Sequence, residues 1–165
     1  MMSGSIMTFL QQLPPEIATM ILAMLPFTEL RASIPVGIKV FGLSPFEALF
    51  ASVIGNMIPV VLLLLLIKPV TDFAHKHARL LERILQWLYT RVQKKLKGKE
   101  SYEGLALALF VGIPLPGTGA WTGALVAFLL GIPFKRSFPF IFLGVLIAGL
   151  IITLISTGVF ASLDF

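Results

Sequence analysis

Two uncharged stretches set the architecture. Ala48 to Ile67 is 20 residues without a charged side chain, and Ser137 to Leu163 is 27. A helix needs about 20 apolar residues to cross the hydrocarbon of a bilayer, so the spacing predicts membrane spans over Pro45 to about Ile67 and Ser137 to about Phe160. Four further apolar segments, Glu16 to Thr28, Ile34 to Phe41, Gly104 to Val111 and Ala120 to Leu130, have helical composition but are too short to cross. They come in pairs, and each pair is broken in the middle. The first breaks around Pro26 and runs through Phe-Thr-Glu-Leu-Arg-Ala-Ser-Ile-Pro to Pro35. Pro14 and Pro15 suit the first turn of its first helix, and Ser33 with Pro35 the start of its second. The second breaks over Gly112 to Gly123, a stretch with two prolines and four glycines inside an uncharged run from Gly104 to Phe134. Proline removes a donor and glycine gives up backbone order, so no continuous helix is expected through it.

In a bilayer, irregular backbone survives only where protein or a wet cavity covers it. Each broken pair therefore reads as a re-entrant hairpin. For the first, the alternative is one kinked span from Glu16 to Phe41 carrying Glu29 and Arg31. The two halves also repeat. Gly42-Leu-Ser-Pro45-Phe46 matches Gly131-Ile-Pro133-Phe134, and Gly55 matches Gly144. A hairpin that returns to its own side leaves one crossing per half, so the second half enters from the opposite face. The expected fold is an all-α integral membrane protein of two inverted repeats, each a re-entrant helical hairpin followed by a transmembrane helix. Repeat one covers about residues 16–67 and repeat two about 104–160.

Residues 68–103 join the repeats. They hold nine Lys/Arg against four Asp/Glu, while the remainder of the chain balances at four against four. From Thr71 to Lys97, Leu81, Ile84, Leu85, Leu88, Val92 and Leu96 recur at helical spacing with basic residues between them. Trp87 and Tyr89 lie near the middle, which suits an amphipathic helix in a headgroup layer. Basic loops mark the cytoplasmic side. This connector is expected in the cytoplasm on anionic lipid headgroups, with Lys135 and Arg136 on the same side and both termini outside the inner membrane. His75 and His77 read as solvated surface. The chain has no cysteine, so thiolate sites and disulfides are excluded. No catalytic triad, acid–base carboxylate pair or phosphate loop is present, so no enzyme activity, cofactor or nucleic-acid partner is expected.

Glu29 and Arg31 carry the most chemistry, because a charge at mid-membrane costs at least ~2.5 kcal/mol. Glu29 reads as a carboxylate that takes up a proton or cation, and Arg31 as an anion ligand. The alternative is a mutually neutralising pair. Pro35 belongs to the same tip. Asn56 reads first as helix packing beside Gly55, or as a substrate contact. At the second tip, Pro114, Pro116, Gly117, Thr118 and Gly119 precede a half-helix whose N-terminal amides favour anions, with Thr118 as its cap. Trp121 reads as packing or an interface anchor.

At the glycine–proline tip and at the Thr-Glu-Leu-Arg-Ala-Ser-Ile-Pro stretch, the chain resembles the prokaryotic small multidrug export proteins, over residues 16 to 160. That family is distantly similar to DedA/VTT membrane proteins, which share paired re-entrant loops and are linked to lipid flipping, lipid scrambling and proton-dependent export. The DedA relatives place acidic residues at the first tip and arginine in the second. This sequence has Glu29 at the first and no charge between Gly104 and Phe134. The resemblance implies a small membrane exporter or lipid flippase, proton- or cation-coupled, with the route for a small-molecule, ion or lipid substrate between the two tips. A chain of this size makes few helix contacts alone, so a homo-oligomer is expected. The rival readings are a lipid scramblase and a non-transporting assembly subunit.

Overall fold

The computed structural model describes residues 8–77, 100–115, 118–129 and 132–158. Among these, six helices follow one another: α1 (Pro15–Met24), α2 (Glu29–Lys39), α3 (Pro45–His77), α4 (Glu100–Gly112), α5 (Ala120–Leu129) and α6 (Phe134–Ser156). No described residue lies in a strand. Pro45–Leu66 within α3 and Phe134–Ser156 are long and apolar enough to cross a membrane, at 22 and 23 residues. At 1.5 Å per residue each reaches just over the ~30 Å of hydrocarbon. Large apolar side chains stay exposed along both, among them Phe46, Phe50, Leu62, Leu65, Leu143, Leu150 and Ile155, as suits helices solvated by lipid.

The chain divides into two compact units, Met1–Ile58 with Val145–Phe165, and Pro59–Gly144. In the first, α1 packs on α2. Pro15 opens α1 where a missing N–H costs nothing. The face that α1 buries is made of small residues and one leucine: Ala18, Thr19, Leu22 and Ala23. Hydrophobicity does not drive helices together in lipid, so close backbone approach must do it. A Cβ at Gly37 of α2 would stand 3.0 Å from Thr19 Oγ1 and 3.2 Å from Ala48 Cβ. At Gly55 of α3 it would stand 2.8 Å from Met20 Cα and 2.9 Å from Met20 C, and closer still to that carbonyl oxygen. Gly42, at φ +72°, ends the segment after α2 in a left-handed conformation. Ser44 and Glu47 then close a reciprocal cap on α3. The Ser44 N–H donates to Glu47 Oε2 at 2.9 Å, and the Glu47 N–H to Ser44 Oγ at 3.3 Å.

In the second unit α4 packs on α5, and glycines again mark the close approaches, of α5 to α4 and of α6 to α4. A Cβ at Gly144 would lie 2.7 Å from the Ala108 carbonyl oxygen. Gly104 lies against the Phe140 ring, and Gly123 against Val111.

The burial pattern recurs along the chain. On α1 it is Ala18, Thr19, Leu22 and Ala23; on α4, Leu107, Ala108, Val111 and Gly112, each 89 positions later. On α2 it is Glu29, Leu30, Ser33, Ile34 and Gly37; at the second hairpin, Gly119, Ala120, Gly123, Ala124 and Ala127, each 90 positions later. On α3, Ala48, Ser52, Gly55, Asn56, Pro59 and Val60 return on α6 as Ser137, Ile141, Gly144, Val145, Ala148 and Gly149, again at 89. The glycines at 55 and 144 play one part, each receiving a backbone carbonyl from the first helix of its hairpin.

Three sequence expectations change. The first tip is shorter than expected: helix resumes at Glu29, so Glu29 and Arg31 sit in the first turn of α2 and Ser33 is an interior residue instead of a cap. Pro35 lies inside α2. It removes a single bond to the Arg31 carbonyl, a loss that Glu29-Leu-Arg-Ala, made of good helix formers, absorbs. For the same reason α3 passes through Lys68-Pro69 and reaches His77, where the sequence suggested an end. The amphipathic connector lies mostly outside the described residues: 71–77 continue α3, and 78–99 are not described.

Candidate functional site

The polar side chains that the first unit buries form a row. Thr19, Glu29, Ser33, Ser52 and Asn56 are all buried, Glu29 to 7 % exposure and the other four to 0 %. Their positions follow from helix geometry. Glu29, Ser33 and Gly37 are four apart and share one face of α2; Ala48, Ser52 and Asn56 are four apart and share one face of α3. The two rows meet in antiparallel order. Gly37 lies against Ala48, and one turn on the Ser33 hydroxyl donates to Ser52 Oγ at 2.7 Å. Leu30 and Val53 both border the space at Gly149. Thr19 turns its hydroxyl onto its own helix, donating to the Pro15 carbonyl at 2.8 Å.

Glu29 is the single described non-glycine residue with positive φ, at 42°. The left-handed region costs an ordinary L-residue about 1–2 kcal/mol. The turn before it is held by the Thr28 hydroxyl, which donates to the Leu22 carbonyl, and by the Glu29 N–H, which donates to the Leu25 carbonyl at 3.1 Å. Arg31 is half-buried on another face of α2, and Pro35 is half-buried one turn further on. Neither belongs to the buried row. Asn56 does, and both its amide atoms, Nδ2 and Oδ1, are buried without a hydrogen-bond partner.

The second tip is organised by Thr118. Its hydroxyl faces the carbonyls of Ile113 at 2.7 Å and Leu115 at 2.8 Å, and accepts from the Leu115 N–H at 3.2 Å. These bonds run back into the tip, so Thr118 stitches the loop as well as preceding α5. Pro114 is half-buried and Gly119 buried; Pro116 and Gly117 lie outside the described residues. The tips belong to different units, and each stands here by itself.

The residues that sequence reading missed are Thr19, Ser33 and Ser52. The signal was present, since Glu29/Ser33 and Ser52/Asn56 are both spaced by four in otherwise apolar helices. The recurrence of burial adds a second signal. The positions matching Thr19, Glu29, Ser33, Ser52 and Asn56 hold Ala108, Gly119, Gly123, Ile141 and Val145. All five are buried, and none has a polar side chain. The same pattern of burial therefore recurs without polar side chains. Among the described residues no three His, Cys, Asp or Glu side chains converge as a metal site would require.

Among curated proteins and among solved structures nothing matches this chain. A family model does, the one described as "Putative small multi-drug export protein", over residues 29–151. The match begins at Glu29, takes in Ser33, Ser52, Asn56 and the whole second tip, and ends within α6. With its two apolar spans and this match over most of its length, the chain belongs to the small multi-drug export protein family.

Proposed function

We propose that this protein is a small membrane exporter or flippase whose binding groups are the buried polar row of its first half. It moves its substrate without converting it chemically. One observation carries the reading: the second half builds the same burial pattern from Ala108, Gly119, Gly123, Ile141 and Val145, so the polar residues serve something other than the fold. They are also costly. A buried carboxylate, a left-handed backbone at Glu29 and an unpartnered amide at Asn56 each weigh against stability, the last by about 1–3 kcal/mol. Strain and unpaired polarity concentrated at one place mark a working site. Glu29 takes up the coupling proton or cation, and Ser52 and Asn56 face the same space. Arg31, on its separate face, meets anionic groups.

The wider frame follows from sequence. The halves are inverted repeats, each with a re-entrant hairpin, and the basic residues 68–103 lie in the cytoplasm with both termini outside. The deciding experiment reconstitutes the purified chain in vesicles and follows efflux of a cationic dye and, separately, translocation of a headgroup-labelled lipid. Glu29→Gln should fold, reach the membrane and lose transport of whichever probe the wild type moves. Full transport by that variant overturns the reading. A probe moved in both directions without a gradient identifies scrambling.

A further inference from the structure

Asn56 is the only asparagine in the chain, and it stands at the middle of the 22-residue span Pro45–Leu66. Its side chain is fully buried, and neither Nδ2 nor Oδ1 meets a protein partner. Neighbouring groups add to the polar demand. Ser52 precedes it by four residues on the same face of α3. The Ser52 oxygen accepts from the Ser33 hydroxyl, which leaves the Ser52 hydrogen to donate elsewhere. Pro59, inside the same helix, has no N–H for the Gly55 carbonyl. Within a bilayer, polar groups that the protein leaves unsatisfied call for an ordered water or another polar partner.

The chemistry of that demand selects the occupant. A carboxamide presents a donor and an acceptor side by side. A cation would satisfy Oδ1 and leave the Nδ2 hydrogens facing positive charge, and an anion would do the reverse. A neutral molecule that both donates and accepts satisfies the two together. Size narrows the choice. Ser33, Ser52 and Asn56 are each at 0 % exposure, so the place is closed to lipid and to anything much larger than water. A buried water makes about two to four hydrogen bonds. Side chains four apart on a helix have Cβ atoms ~5–6 Å apart, a spacing that one bridging molecule spans.

We propose that Asn56 holds an ordered water at the centre of the first span, shared with the Ser52 hydroxyl. The water accepts from Nδ2 and from the Ser52 hydroxyl and donates to Oδ1. It carries the hydrogen-bonded chain that begins at Ser33 on α2 through Ser52 to Asn56 on α3. This goes beyond the export reading, since the water is held whether or not anything is transported. The second half has no such site. Ile141, Val145 and Ala148 stand there in the places of Ser52, Asn56 and Pro59.

The test places isotope-labelled asparagine in the full chain, in lipid nanodiscs, so that a single side-chain amide carries the signal. Magnetisation transfer between the Nδ2 hydrogens and water is then measured by NMR in the laboratory and rotating frames. A held water gives transfers of opposite sign in the two frames, whereas hydrogen exchange with solvent gives the same sign in both. Opposite signs are the expected result. Ser52→Ala separates a water from a hydroxyl that merely relays the signal. The transfer should persist in that variant, with the Nδ2 hydrogens shifted because the water has lost a donor. A density map that shows ordered waters should place a peak about 2.7–3.2 Å from both Nδ2 and Oδ1.

Absence of the opposite-sign transfer in the wild type overturns the proposal. So does a transfer that vanishes in Ser52→Ala, since the signal then came from the hydroxyl, and so does a map in which the amide bonds directly to protein. If Ser52→Ala fails to fold, the map decides alone. The outcomes separate the two proposals. Full transport by Glu29→Gln removes the export reading and leaves the water in place, and a missing water leaves the transport assay unaffected.

Discussion

Gly55→Ala is the most direct probe of how the first half is held together. The added Cβ would stand 2.8 Å from Met20 Cα and 2.9 Å from Met20 C. Ordinary contact begins near 3.4 Å, so α1 must withdraw by at least half an ångström. The obstacle is backbone, which has no rotamer to change. Overpacking of this kind costs about 1–3 kcal/mol, and a rigid neighbour puts the cost at the upper end. Alanine recovers roughly 1 kcal/mol over glycine inside a helix. The expected net loss is about 2 kcal/mol, or about 4–8 °C in Tm for a chain of this length. Gly37→Ala provides the comparison, since its new Cβ would meet side-chain atoms of Thr19 and Ala48 at 3.0–3.2 Å. It should cost clearly less. The assay is the loss of monodisperse protein on heating in detergent. A Gly55→Ala variant that melts with the wild type, or above it, would refute the close seating of α1 on α3.

Glu29→Gly should be more stable than Glu29→Ala by about 1 kcal/mol in the same assay, because φ of 42° suits glycine and strains alanine. Ser33→Ala and Ser52→Ala each leave one buried hydroxyl unpaired and should each cost about 1–2 kcal/mol, while the double variant should cost less than their sum. Gly144→Ala repeats the Gly55 experiment in the second half, against the Ala108 carbonyl, and should lower the melting temperature in the same way. Single cysteines at Ser3, Ser101 and Ser162 fix the topology, since the native chain has none. Impermeant reagent should reach the first and last in intact cells and the middle one only after lysis; labelling of the two ends from opposite sides would mean an odd number of crossings.

The long helices were legible because about 20 apolar residues without a charge suit a bilayer and little else. The glycine–proline break before α5 was legible for the same kind of reason, since no helix carries Pro114 and Pro116 so close to Gly117 and Gly119. The start of α2 was not. Pro35 looked like a boundary, yet a single proline removes one bond, and the helix formers around it outweigh that loss. The site was half visible. Charge alone singled out Glu29, and Asn56 was noticed as polarity inside a span. Ser33 was read as a cap and Ser52 went unnoticed, because serine in an apolar helix is ordinary until its partner on the neighbouring helix is known. That partner depends on the register of α2 against α3, and register follows from the close approach at Gly37, which no single helix encodes.

The shortness of α1 and α2 bears on how the chain enters the bilayer. At 10 and 11 residues they reach about 15 Å, half the hydrocarbon thickness, so neither qualifies for insertion on its own. Nor are they autonomous as helices, since an isolated helix below about 12–15 residues is marginal. Their places are given by what they dock on: Gly37 on Ala48, and Met20 on Gly55. During synthesis both emerge before α3 exists to receive them. The order of assembly expected from this departs from the order of the chain, with the first long helix entering the bilayer before the two short helices ahead of it dock.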